Sequence, residues 1–275
     1  MSCISIRAKI EKAFSSLITE RNQFIPGITG SESGHAAGTP TESWVKDALN
    51  DMGINVFYPH EFLKDFFDNI DNIGKDKLRV LNRIRISKAL TNVWWGSLLA
   101  TKKQIESYIA NGEVKPWQQC GADLIILDGK DIEDIILVNV KSHNSTKESR
   151  APNIMSAQRL LEELHALSIK KGASKLNKAN IWFIGVTYSP DGTNGKIVNV
   201  TVKDLFKLDV SRIPQINFDA AIQIQWHVED MVEKKQTKEE FTKELANSFL
   251  QQWKRHSIYK DKKYIQLVKE INDSL

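Results

Sequence analysis

The sequence has few of the features that mark secreted, membrane or zinc-finger proteins. Its 275 residues include two cysteines, Cys3 and Cys120, which argues against a disulfide framework and favours a reducing compartment. No run of about 18 apolar residues occurs, so we expect no membrane span, and the N-terminal residues lack the apolar core of a secretory signal. The six histidines show no paired spacing such as HExxH, and no CxxC occurs, so the sequence predicts no zinc site.

Charge of one sign is not in large excess either. The chain carries 38 Lys and Arg against 34 Asp and Glu, a net charge of +4, which permits nucleic-acid binding without requiring it. The hydrophobic and charged fractions, 41% and 26%, are those of an ordinary globular protein that can form a core without disulfides. No repeat or composition shift marks a boundary, so we expect a single domain over residues 1–275.

The hydrophobic pattern predicts an α/β (α+β) fold with a central mixed sheet flanked by helices. Helical spacing of apolar residues is found over residues 4–20, 60–110 (in about three pieces), 154–170, 237–254 and 263–272. Short apolar runs or strict alternation predict strands at residues 122–127, 135–140, 181–188, 196–202 and 222–228. The first two strands are separated by a short polar turn, so we expect them to form a hairpin.

A further helix is expected after the Gly- and Ser-rich segment 27–38, which is predicted to be a loop. Thr39 can act as its N-cap, Pro40 suits the first helical position, and Glu42 completes a capping box.

The predicted hairpin carries the residues that point to chemistry. Asp123 begins one strand and Lys141 ends its neighbour, and residues 139 and 141 lie on one side because side chains alternate along a strand. Asp123, Asn139 and Lys141 can therefore meet at one end of the sheet. Hydrolysis of a phosphodiester needs such an arrangement, with oxygen ligands for a divalent cation and a cationic group nearby. The alternative is a strand-end aspartate beside a solvated lysine.

Four segments resemble, in order and approximate spacing, the HincII family of type II restriction enzymes, within the PD-(D/E)XK nuclease superfamily. They span about residues 31–230, and they are Ser33–Gly38, Gly121–Asp123 with Val140–Lys141, Arg150–Ala157 and Ile216–Val228. The resemblance implies a homodimer in the prokaryotic cytoplasm, with the helical N- and C-terminal regions contributing to dimerisation. It also implies Mg²⁺-dependent cutting of double-stranded DNA at a six-base-pair palindrome, GTYRAC or a related site, to leave blunt ends.

The same resemblance assigns roles at the hairpin. Asp123 matches the first metal-binding aspartate and Lys141 the catalytic lysine. Asn139 stands where the family has a second metal-binding carboxylate. An amide keeps one oxygen ligand but loses the charge, so the affinity for Mg²⁺ should fall. The change is a tolerated ligand, an engineered block to cutting, or the mark of an inactive relative. Glu42 matches the early-helix glutamate that related nucleases place near the metal, beside its alternative capping role.

DNA-reading positions follow from the resemblance as well. Asn153 matches an asparagine that contacts base edges, and Ala151 matches a position whose main chain faces the bases. Arg150 stands where the family has an intercalating glutamine, which puts the target sequence in doubt. Gln118 and Asn217 match two further contact positions. The structural alternative is that Pro152 and Asn153 only begin a turn before a helix.

Three functions stay open at this point. The first is a site-specific endonuclease. The second is a sequence-specific DNA-binding protein that cuts poorly because of Asn139. The third is another nuclease on the same core, such as a structure-specific repair enzyme, which the DNA-reading segments disfavour.

Overall fold

The structure is a computed structural model, and it describes residues 3–20, 23–28, 34–70, 79–117, 120–146, 151–170, 173–213, 215–217, 222–255 and 262–275. The helices in these ranges are α1 Cys3–Glu20, α2 Gly34–Asp51, α3 Pro59–Asn69, α4 Arg79–Asn92, α5 Gly96–Leu99, α6 Lys102–Asn111, α7 Ala157–His165, α8 Ala173–Lys178, α9 Lys238–Arg255 and α10 Lys262–Ser274. The strands are β1 Phe24–Pro26, β2 Val56–Phe57, β3 Leu124–Leu127, β4 Ile135–Asn144, β5 Asn153–Ser156, β6 Ile181–Asp191, β7 Asn194–Asp204, β8 Gln215–Asn217 and β9 Gln223–Gln225.

Six strands form the main sheet in the order β1-β7-β6-β4-β3-β2. The pair β4–β6 is parallel and the other pairs are antiparallel, so the sheet is mixed, as predicted. A second, three-stranded sheet has the order β5-β9-β8, and we call it the small sheet. None of the helices in the described ranges combines the length and the apolar character needed to cross a bilayer.

The central strand β4 is buried on both faces. Ile135 and Leu137 pack into the larger hydrophobic cluster, with α3 to α7, α9 and α10. Ile136 and Val138 point the other way, into a smaller cluster with α1 and α2. This two-sided burial explains the continuous apolar run in the sequence. Helices therefore cover both faces of the sheet.

The β3–β4 hairpin is confirmed, and its turn is tied to the helical layer. Leu124 pairs with Val138, and the register continues to Leu127 and Ile135. At the turn, the indole N–H groups of the buried Trp94 and Trp95 donate to the carbonyl oxygens of residues 133 and 132, each at 2.9 Å.

Several predicted element boundaries differ from the structure. The strand predicted over residues 222–228 covers only Gln223–Gln225, and two helix starts are also wrong. Helix α2 begins at Gly34, so Thr39 and Pro40 lie inside it, and Glu42 has no capping role. The reason is packing, because Ala37 is buried in the smaller cluster and draws the preceding turn into the helix. The helix predicted over 154–170 begins only at Ala157, after strand β5, because residues 153–156 pair with β9.

Candidate active site

Asp123 lies directly before β3, one step beyond the pair Leu124–Val138. Its backbone N–H donates to the Val138 carbonyl at 2.9 Å, one residue off the register of the pair, so the regular pairing stops at Leu124 and this bond holds Asp123 against the next part of β4. Asp123 therefore lies beside the end of β4 that carries Asn139 and Lys141.

Lys141 follows Asn139 on the same face of β4. Its Nζ lies 3.4 Å from Oδ2 of Asp123, and the same oxygen accepts the backbone N–H of Val140 at 2.7 Å. These two donors fix the orientation of the carboxylate. Asp123 and Lys141 are each about a quarter exposed, so the pair is reachable from solvent.

Gly121 allows the approach to Asp123. Its N–H donates to the Leu98 carbonyl at 2.9 Å, and a Cβ at this position would stand 2.7 Å from that oxygen. Its own carbonyl accepts the amide Nδ2 of the buried Asn139 at 3.4 Å. The glycine is needed because α5 comes into direct backbone contact with the segment that carries Asp123.

Glu42 reaches the same site from α2. Burial and the neighbouring carboxylate of Asp123 raise the pKa of Glu42 to about 6, while Lys141 acts in the opposite direction. A carboxyl so perturbed by burial and a like charge is typical of a functional site. With its capping role excluded, Glu42 is a second acidic group next to Asp123.

A cleft of about 590 Å³ opens in front of these residues and is lined by Glu42, Asp123, Trp117 and Cys120, among others. Arg159 lies over the Trp117 ring at 5.1 Å and donates to the Leu98 carbonyl. Burial raises the pKa of the Cys120 thiol to about 11, so a reactive thiolate is disfavoured.

The donor set of this cleft fits a hard divalent cation. Asp123 and Glu42 line the cleft and offer carboxylate oxygens. Oxygen ligands of this kind suit Mg²⁺. Asn139 is buried and lies outside the lining of the cleft, and its amide nitrogen donates to the Gly121 carbonyl. The raised pKa of Glu42 comes first from burial and second from the charge of Asp123, and positive charge near both carboxylates would oppose this shift.

The predicted DNA-reading residues that the structure describes come together on the small sheet. Asn153 begins β5 and is exposed, and its Oδ1 accepts from Nε2 of Gln225 at 3.1 Å. Asn217 ends β8, and both strands flank β9. Ala151 lies just before β5 and is partly exposed. Gln118 and Arg150 lie outside the described residues.

Histidines that sequence spacing did not connect also meet near this site. His143 follows Lys141 on the same face of β4, and its Nδ1 lies 3.4 Å from Oε1 of Glu229. Nδ1 of His227 lies 3.8 Å from the same oxygen. Histidine spacing in the sequence predicted no zinc site, but the fold brings His143, His227 and Glu229, which are far apart in the chain, to distances at which they could hold a metal ion.

Comparisons with known proteins find restriction endonucleases among the proteins similar to this chain. The family model described as restriction endonuclease HincII matches residues 17–271. The chain is 28% identical over 255 residues to the type II restriction enzyme HindII of Haemophilus influenzae, which covers 88% of this chain and 90% of that protein. The identity and coverage are the same for the type II restriction enzyme HincII of Haemophilus influenzae. Among solved structures, NlaIV restriction endonuclease is similar with a TM-score of 0.47 at 12% identity, over 100% of this chain and 88% of that one.

Proposed function

Because the chain belongs to the HincII family of restriction endonucleases, which makes it a DNA-cleaving hydrolase, we propose that Glu42, Asp123, Asn139 and Lys141 form its catalytic site. The observation that carries this proposal is that Asp123 shares one cleft with Glu42 and also contacts Lys141 at 3.4 Å. In the proposal, Mg²⁺ is the metal and DNA is cut at a short palindrome, GTYRAC or a related site, with blunt ends.

Each residue has a defined part in this proposal. Asp123 and Asn139 hold the cation through their oxygens, and Glu42 contributes the second negative charge that Asn139 lacks. When bound, Mg²⁺ supplies positive charge to the scissile phosphate and an activated water. Lys141, held 3.4 Å from Asp123, stabilises the negative charge that develops on the phosphate oxygens. The two donors to Asp123 keep its carboxylate in place before DNA binds.

DNA reading is assigned to the small sheet and its flanks. The side-chain amide of Asn153 can offer a donor and an acceptor to a base edge, and Ala151 presents its main chain beside it. Asn217 is the contact from β8, and Gln118 and Arg150 complete the set. A palindromic target calls for two copies related by a two-fold axis, so the proposed enzyme is a homodimer acting in the prokaryotic cytoplasm.

A second candidate is a site-specific DNA-binding protein with impaired cleavage. The observation behind it is Asn139, a buried amide whose nitrogen donates to the Gly121 carbonyl, where a carboxylate is expected. In this case the small sheet retains its function while the metal site is weak.

The test is digestion of unmethylated plasmid DNA with Mg²⁺ by four proteins: the unaltered chain, Asn139→Asp, Asp123→Asn and Lys141→Ala. Discrete fragments from the unaltered chain, lost in the last two variants, support the endonuclease with Asn139 as a working ligand. Cutting only by Asn139→Asp assigns the block to the amide. No cutting by either, with specific DNA binding retained, favours the second candidate. A smear, or nicking confined to branched DNA, contradicts both candidates.

A further inference from the structure

Two imidazoles and a carboxylate meet outside the proposed catalytic cleft. His143 lies on β4, while His227 and Glu229 lie on the segment that follows β9. The ligand atoms of the three side chains all fall within 4.8 Å of one another, and each side chain is between about a sixth and a quarter exposed. Among the described residues, this is the one group of three such side chains at metal-binding distances.

The spacing of these atoms matches a tetrahedral metal. Zinc bonds of about 2.0–2.1 Å to nitrogen and oxygen place neighbouring ligand atoms about 3.4 Å apart. Nδ1 of His143 and Nδ1 of His227 lie 3.4 Å and 3.8 Å from Oε1 of Glu229. The two rings meet edge to face with their centroids 4.7 Å apart, and all the candidate ligand atoms lie within 4.8 Å of one another.

We propose that His143, His227 and Glu229 bind a transition-metal ion, Zn²⁺ by the chemistry of the ligands, with the fourth position taken by water. Imidazole nitrogens suit zinc, whereas Mg²⁺ prefers the oxygen-only set of the cleft. The two sites therefore differ in ligand type, and they draw on different side chains.

The backbone around this site is already held in place. The segment Val228–Asp230 rests on β6 at Gly185, where a Cβ would stand 2.7 Å from the Cβ of Val228. Gly185 is the parallel-strand partner of Lys141. A preformed arrangement of this kind lowers the cost of ordering the ligands when the ion binds.

A metal here would connect two parts of the molecule. One ligand lies on the strand that carries Asn139 and Lys141, and the other two continue from β9 of the small sheet. The ion would therefore fix the distance between the DNA-reading sheet and the catalytic strand. This coupling role rests on the proposed function, whereas metal binding itself does not.

The test is titration of the full chain with Zn²⁺ by calorimetry in excess Mg²⁺, which occupies the oxygen-lined cleft. We expect one equivalent of Zn²⁺ per chain and a rise in the unfolding temperature. His143→Gln and Glu229→Gln should each weaken binding by about 10–100-fold or more, since even outer partners of metal ligands have effects of that size. The absorption spectrum of bound Co²⁺ should report nitrogen ligands and change in the same variants.

Two controls and a rescue separate the site from general effects. Glu270→Gln removes a carboxylate 2.6 Å from His165, a His–Glu contact outside the proposed site, and should leave Zn²⁺ binding unchanged. Asp123→Asn should leave it unchanged too. Glu229→His keeps a ligand atom and should restore binding, and metal-free melting curves identify any variant that fails to fold.

Absence of stoichiometric binding, or binding that survives both His143→Gln and Glu229→Gln, would overturn the proposal. Binding lost only in Asp123→Asn would assign the ion to the cleft and would also overturn the proposal. None of these readouts needs DNA cleavage, so the metal site and the endonuclease proposal stand or fall separately.

Discussion

Replacement of Glu42 by glutamine should stabilise the metal-free protein while abolishing cleavage. The pKa of this buried carboxyl rises from 4.5 to about 6, which corresponds to about 2 kcal/mol of free energy once it is ionised. Because the carboxyl opens to the cleft and water screens part of its charge, we expect about 1 kcal/mol. For a chain of this size that is a rise in unfolding temperature of about 2–4 °C.

The effect of Glu42→Gln on stability should grow as the pH rises. The carboxyl of Glu42 is easier to protonate in the folded protein, so its stabilising contribution is complete below pH 4.5 and is lost as the pH rises through about 6. Glutamine resembles the protonated acid at every pH. Glu42→Gln and the unaltered chain should therefore melt together near pH 4.5 and separate at pH 8, in the presence of EDTA.

The matched control is Glu61→Gln. Burial would raise the pKa of Glu61, but hydrogen bonds from Lys46 and the Tyr58 backbone N–H hold it below its ordinary value. Its ionised form is therefore stabilising, and Glu61→Gln should lower the unfolding temperature at pH 8. A Glu42→Gln variant that is less stable at pH 8, or equally shifted at every pH, would refute the reasoning. Adding Mg²⁺ should stabilise the unaltered chain more than the variant, because the variant has lost a ligand.

Three further predictions concern the rest of the site. Gly121→Ala should reduce cleavage by about 100-fold, because its Cβ would stand 2.7 Å from the Leu98 carbonyl and displace Asp123, and circular dichroism at the temperature of the assay checks that the variant is folded. Lys141→Ala should abolish cleavage yet retain site-specific binding in a gel-shift assay, whereas loss of binding would contradict its assignment. Asn153→Ala should reduce discrimination between the recognised site and a single-base variant by about 1–3 kcal/mol at fixed salt; an equal loss on all sequences would indicate a phosphate contact.

The β3–β4 hairpin was predictable because its signals are local. Two apolar runs around a polar turn define β3 and β4, and the period of two along a strand places Asn139 and Lys141 on one face. The same pairing brings the residues just before Leu124 next to the end of β4, where Asp123 contacts Lys141 at 3.4 Å. Each of these steps depends on residues within a short stretch of sequence.

Tertiary packing decided what the sequence did not reveal. Thr39 and Pro40 carry strong signals for a helix start, but burial of Ala37 against the sheet extends α2 further upstream. Glu42 then faces Asp123 instead of capping a helix. Likewise, strand β5 forms where a helix was predicted, because pairing with β9 outweighs the helical spacing of the apolar residues.

The meeting of His143 with His227 could not be found from spacing. One lies on a central strand and the other on a segment that follows the last strand of the small sheet. Only the folded arrangement of the two sheets brings the rings together at 4.7 Å. The predicted strands alone do not give the distance between two histidines that lie on different sheets.

Because β3 and β4 pair as a hairpin, residues that are far apart in the chain lie close together in space. This pairing determines where the chain can accept an inserted residue. A residue added at the exposed turn near Lys130 lengthens the loop and leaves the pairing of Leu124 with Val138, next to Asp123, unchanged. A residue added within β4 before Asn139 turns every later side chain to the other face, so Lys141 would point into the smaller cluster. Positions a few residues apart should therefore differ sharply in an insertion scan of this hairpin.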